Sequence, residues 1–169
     1  MGDIDVSFFE RARFATGTRI TNLGAHTCNA FVRRSLFRDA RFDPSFGRSG
    51  GEDTALFRRL AARGSRFEWV DDAIVHEYVP AERHRPGWLA RRAFRGGCVH
   101  AQIEDDLGRV PSRSAAVTQA AAAAGALLLA SAALLLGGRA RALRVALHAS
   151  VQAGKGWGHL GGGFQEYAD

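Results

Sequence analysis

Between Glu52 and Gly64 the apolar residues Leu56, Phe57, Leu60 and Ala61 recur at i, i+1, i+4 and i+5, while Arg58, Arg59 and Arg63 avoid the centre of that stripe. The spacing predicts an amphipathic helix. Glu52 and Asp53 suit the positive end of its dipole, and Gly64 suits the left-handed residue that ends it. Two runs rich in β-branched and aromatic residues follow, Arg66–Val70 and Ala73–Val79, separated by Asp71-Asp72 and closed by Pro80; both read as strands. Upstream, Thr27–Val32 is short and mostly apolar, and reads as a strand or as the start of a buried helix. The segment RFDPSFGRSGG between it and the first helix reads as an irregular loop. A second helix is expected from Pro86, a residue suited to the first helical position, into the 90s. Arg85, Trp88, Arg92 and Arg95 share one of its faces at about 100° per residue, and Gly96-Gly97 is expected to weaken or break it.

Residues 115–136 contain no charge and include six leucines. As a helix they would span about 33 Å, against about 30 Å of hydrocarbon in a bilayer. Two readings follow: a transmembrane or membrane-embedded helix, which is the expectation taken forward, and an Ala-rich helix buried in protein. Arg109 and Arg113 precede the run and Arg139, Arg141 and Arg144 follow it, so flanking charge does not orient it. The remainder reads as a basic, Gly-rich interfacial tail with Trp157 and Phe164 as anchors. The expected organisation is a mixed α/β domain over residues 1–106, a linker at 107–114, the membrane helix at 115–136 and the interfacial tail at 137–169.

Net charge is +6 among 169 residues, and every basic side chain but Lys155 is Arg. Residues 1–106 are close to neutral, with 17 basic and 15 acidic side chains, whereas residues 107–169 carry 6 and 2. A basic fringe beside an apolar run points to anionic lipid headgroups rather than to nucleic acid, for which no motif is present. Cys28 and Cys98 lie far apart without metal-binding spacing and read as reduced thiols. The N-terminal MGDIDVSFFERARF has no apolar core of a signal peptide, and Val6 stands where a myristoylation site needs Ser or Thr.

The candidate chemistry centres on GGEDTALFRRL, residues 50–60. Asp53 lies on the side of the helix that carries Leu56, Phe57 and Leu60. A carboxylate there is either an N-cap for the helix or a general base in a cleft, with Glu52 beside it. The ordered series HTCNAFVRR, RFDPSF, GGEDTALFRRL, GSRFEWVDDAIVHEYVP and RHRPGWLARRAFRGG, across roughly residues 8–100, resembles the acceptor-side half of bacterial family-two glycosyltransferases of the GT-A fold. It is most similar to members with a hydrophobic C-terminal tail that act on cell-surface polysaccharides. The resemblance implies an α/β fold: a partial GT-A-like, Rossmann-like domain followed by a membrane-associated helical tail, at the bacterial inner membrane with its catalytic part cytoplasmic.

By that resemblance Asp53 is the base that deprotonates the acceptor hydroxyl, and Glu52, Asn29 and Trp88 bind the acceptor. Arg83, Arg85 and Arg92 face the diphosphate of the leaving group, and His76 approaches a metal or the diphosphate. Cys28 stands where the family's TGN-like segment has Gly, and the QxxRW motif of processive relatives is absent. Alternatives at single residues stay open: His76 as a satisfied half-buried histidine, Arg92 and Arg95 as a headgroup-facing stripe, Trp88 as an interfacial anchor. The implied reaction is inverting transfer from a nucleotide-diphospho-sugar to a saccharide or lipid-linked acceptor. A base must reach the acceptor hydroxyl, and positive charge, usually Mg or Mn, must stabilise the departing diphosphate. The nucleotide-binding half with a DxD metal motif is not recognisable. Asp3 and Asp5 in GDID have that spacing without a preceding strand to position them. The expectation is thus a partial enzyme that needs a complementing N-terminal half to hold a metal and donor. The alternative is a non-catalytic, membrane-associated module that binds a partner or a polysaccharide precursor.

Overall fold

The computed structural model describes residues 12–21, 25–38, 40–109, 113–135 and 138–166. GDID and the rest of the N-terminal segment through Arg11 lie outside these residues, as does the centre of the expected linker. The chain divides between Tyr78 and Val79 into two compact units, each taken by itself below.

The unit ending at Tyr78 is organised by one helix, α1 (Glu52–Ala62). Its apolar stripe packs as the spacing predicts. Leu56, Phe57 and Leu60 are buried with Ala40, and Val32, Leu36, Phe37 and Phe67 pack around them. Phe46, at 0% exposure, is among the largest fully buried side chains. The helix ends in a Schellman arrangement: Ser65 N–H donates to the Leu60 carbonyl, Gly64 N–H donates to the Ala61 carbonyl, and Gly64 takes φ +82°. A two-stranded antiparallel ribbon completes the unit, with β1 (Arg19–Ile20) paired to β2 (Phe67–Glu68). Phe67 closes edge-on against Phe57, their ring centroids 6.0 Å apart.

Only part of the expected strand content forms. β2 falls inside the first predicted run, but residues 73–80 form no strand, with Ile74, Val75 and Tyr78 exposed. Their β-branched pattern finds no neighbouring strand among the described residues, and strand propensity is realised only by pairing. Thr27–Val32 is neither strand nor buried helix. It holds a single 3-10 turn at Thr27–Asn29 and leaves Phe31 99% exposed.

The other unit is three long helices, α2 (Pro86–Asp106), α3 (Arg113–Leu135) and α4 (Arg139–His159). α4 packs against both of the others. Pro86 occupies the first turn of α2 as expected, but Gly96-Gly97 does not break it. Gly97 is instead the point of closest approach to α4. A Cβ there would collide with the Val151 carbonyl, one on Gly154 would collide with the Phe94 carbonyl, and one on Gly158 would meet Ala101. Backbone-to-backbone contact through small residues outweighs the helix-weakening cost of glycine.

On another side of α4 the small residues recur every seventh position. Ala142, Ala149 and Gly156 are buried, as are Ala116, Ala123 and Ala130 on α3. Gly156 lies against Ala116 and Ala120, so the start of α3 sits beside the end of α4 in an antiparallel pair. A seven-residue repeat keeps such a seam facing its partner along the helices.

These elements correct the expected fold class. The described residues are mostly helical, and their only sheet is the two-residue antiparallel ribbon. No parallel, Rossmann-like sheet of a GT-A domain is found among them. The membrane-associated tail is corrected as well. The uncharged run does form a helix, α3, but no helix among the described residues is long and apolar enough to cross a membrane. Alanine dilutes the apolarity of α3, and its alanine row is used against α4. Thr118 and Ser131 donate to carbonyls one turn back. The expectation of a membrane-spanning helix at residues 115–136 is therefore withdrawn.

Candidate functional site

The first unit positions Asp53 through the loop before α1. Asp43 accepts from Ser45 N–H at 2.9 Å and pairs with Arg59 on α1, tying the Asp-Pro turn to the helix. These bonds, the Ser45 backbone N–H first and then Arg59, hold the Asp43 carboxyl at about 2, below its ordinary 3.8. Gly50 and Gly51 then turn the chain with φ +70° and +93°, a region open to glycine, and Gly51 caps the helix.

Asp53 is therefore not the N-cap but the second helical residue. It is half-buried, and its Oδ1 accepts from Thr54 N–H at 2.6 Å and from the Thr54 hydroxyl at 3.3 Å. Oδ2 makes no hydrogen bond among the described residues. One oxygen is anchored and the other is free to accept a proton. Glu52, one residue earlier, is exposed. Asn29 is exposed and donates from Nδ2 to the Ala73 carbonyl at 2.6 Å, bridging its turn to the segment that leads to His76. His76 itself is exposed in that segment. Among the described residues no three His, Cys, Asp or Glu side chains converge where a metal ion could sit.

In the second unit the structure brings Arg83, Trp88 and Arg92 together. The Arg83 and Arg92 guanidinium carbons lie 5.6 and 5.3 Å from the Trp88 ring centroid, within cation–π range. Arg85 precedes α2 and is exposed, outside this cluster. Trp88, Arg92 and Arg95 line a cavity of about 200 Å³ together with Arg91 and Glu166. The shared face of Trp88, Arg92 and Arg95 was legible in the sequence. Arg91 was signalled only by following Trp88 at three residues, and Glu166 had no local signal at all. Cys98 is buried on the α4 side of α2, where burial pushes its thiol up to about 11. It remains a protonated packing residue.

The chain matches the family described as glycosyl transferase family group 2 over residues 5–151. A relative, the succinoglycan biosynthesis protein ExoM of Rhizobium meliloti (strain 1021), is 36% identical over 134 residues, covering 76% of this chain and 43% of that protein. The chain thus spans less than half the length of that relative. No solved structure matches it.

Proposed function

The chain belongs to glycosyl transferase family group 2, and from that premise we propose that it carries the base-bearing and phosphate-facing parts of an inverting glycosyltransferase in polysaccharide synthesis. The observation that carries the reading is Asp53, a half-buried carboxylate with Oδ1 fixed by Thr54 and Oδ2 uncommitted.

In the proposed reaction Asp53 Oδ2 takes the proton of an acceptor hydroxyl as that oxygen attacks the anomeric carbon of a nucleotide-diphospho-sugar. The bond from the anomeric carbon to the diphosphate oxygen breaks, and the new glycosidic bond has inverted configuration. Glu52 and Asn29 orient the acceptor. Arg83 and Arg92, with Trp88 between them, supply positive charge for the departing diphosphate, and Arg85 contributes from the chain before α2. Such charge is worth most when held in place before the reaction. No step is assigned to a metal ion. The grip on the nucleotide belongs to a complementing segment that the longer relative would supply, so this chain alone is expected to bind nucleotide sugars weakly.

The test is a chimera in which this chain replaces the matching segment of the Rhizobium meliloti protein, assayed with UDP-, GDP- and dTDP-sugars. Transfer with inversion at the anomeric carbon is expected. A product that keeps the donor's anomeric configuration overturns the mechanism. A folded chimera with no transfer from any donor overturns the function.

A further inference from the structure

The segment after β2 leaves the first unit from a fixed point. The Asp71 carboxylate accepts from Arg13 Nε at 2.9 Å, and Asp71 N–H donates to the Thr16 hydroxyl at 3.0 Å. The Ala73 carbonyl accepts from Asn29 Nδ2 at 2.6 Å. Beyond Ala73 the chain forms neither helix nor strand, and every residue from Ile74 to Tyr78 is exposed. Three of these are large and apolar: Ile74 is 58% exposed, Val75 57% and Tyr78 85%. The Asn29 bond brings to the start of this run the turn that leads to Phe31, whose side chain is 99% exposed. The anchors are made, while the apolar residues they present are uncovered.

Exposed apolar side chains gathered in this way mark a surface that another polypeptide covers. The order of the residues says how. Ile74 and Val75 are adjacent, so a strand here would carry apolar side chains on both of its faces, the pattern of a strand that is covered on two sides. A β-branched run of this kind gains its strand conformation only when a neighbouring strand pairs with it. The relative from Rhizobium meliloti is matched over 43% of its length, so more than half of that protein lies outside the match and is available as the neighbour. A second copy of this chain is disfavoured. Arg33 and Arg34 are exposed two and three residues after Phe31, and apposition of like faces would bring these like charges together.

We infer that Phe31 and the run Ile74–Tyr78 form the docking face for the complementing segment, which adds a strand beside the run and covers Phe31, Ile74, Val75 and Tyr78. The inference rests on the reading of this chain as one part of a longer enzyme, and it names the surface through which the parts join. The strand forms on docking. His76 lies within the run, so docking also fixes the position of that side chain.

The experiment is amide hydrogen exchange on the full chain and on the chimera with the Rhizobium meliloti protein, with Phe31→Asp and Val75→Lys made in each. The amides of residues 74–79 are expected to exchange about a hundredfold or more slowly in the chimera than in the chain alone. Both substitutions should leave the unfolding midpoint of the chain alone unchanged, because the side chains are exposed there, and should lower that of the chimera. Equal exchange in the two proteins overturns the docking face. Protection already present in the chain alone and rising with its concentration identifies a second copy as the occupant, and overturns it too. A chimera that does not fold beside a folded Rhizobium meliloti protein also counts against it, because this face is what should join the two parts. A chimera with residues 74–79 protected and no glycosyl transfer leaves the docking face standing and removes only the enzymatic reading.

Discussion

The two units are held together in opposite ways. The one around α1 is a small core of large side chains: Phe46, Leu56, Phe57 and Leu60 are buried to 3% exposure or less. The helical unit has few such residues in its seams. There, Gly97, Gly154 and Gly158 bring α2 to α4, and rows of alanine bring α3 to α4. The first kind of packing fills volume, and the second brings backbones close. Each is therefore sensitive to the substitution the other tolerates. The difference extends to the proposed chemistry. The first unit sets one carboxylate by loop and cap geometry, and the second spreads guanidinium groups along a continuous helix.

The largest effect should come from emptying the first core. Phe46→Ala is expected to cost about 3–5 kcal/mol, measured by denaturant unfolding. A cost below about 1 kcal/mol would mean that the core is not the volume-filled one described.

Filling the second unit should come next. Gly154→Ala should destabilise by about 1–3 kcal/mol, because its Cβ has to displace the Phe94 carbonyl. Helix propensity alone argues the other way, for a gain of up to about 1 kcal/mol. An observed gain would dissolve the contrast between the units.

A smaller and sharper test uses adjacent residues of α2. A Cβ on Gly96 meets nothing within 4 Å, whereas one on Gly97 meets the backbone of α4. Gly96→Ala should raise stability by about 0.5–1 kcal/mol while Gly97→Ala lowers it. Thermal melts of the pair read the sign directly.

The smallest effect is titration in the loop before α1. Asp43 has its folded-state value depressed to about 2. Its contribution is therefore present above its ordinary value of 3.8 and is lost as pH falls through about 2. Asp43→Asn should remove that part of the acid sensitivity between pH 4 and pH 2, and unchanged sensitivity would show that the Asp43–Arg59 tie contributes nothing.

What could be read from the sequence divides along similar lines. α1 was legible from end to end because its signals are local: an apolar stripe, acidic residues in the first turn, and Gly64 at its end. Asp53 was legible as a candidate for the same reason, although its place in the second helical position was not. β1 is two residues long and carries no pattern, so only its pairing with β2 reveals it. Gly96-Gly97 reads as a break because intrinsic propensity is visible in sequence, while close approach to α4, some fifty residues on, is not. The uncharged run of α3 reads as a membrane span when its alanines are counted as apolar. In the folded chain their spacing of seven is what matters, and it matches the same spacing on α4. The arginine face of α2 was legible by periodicity, but the carboxylate that meets it arrives from the far end of the chain.

The central claim is that Asp53 acts as the base, placed by a unit whose folding does not depend on its charge. The most direct measurement is the single-turnover transfer rate of Asp53→Asn in the chimera, with its unfolding curve alongside. Asparagine can still accept from Thr54, so stability should fall by less than about 1 kcal/mol. The rate should fall by about a hundredfold or more. Turnover near that of the unsubstituted chimera, with stability unchanged, would contradict the account and leave Asp53 as a residue that merely supports the first turn of α1.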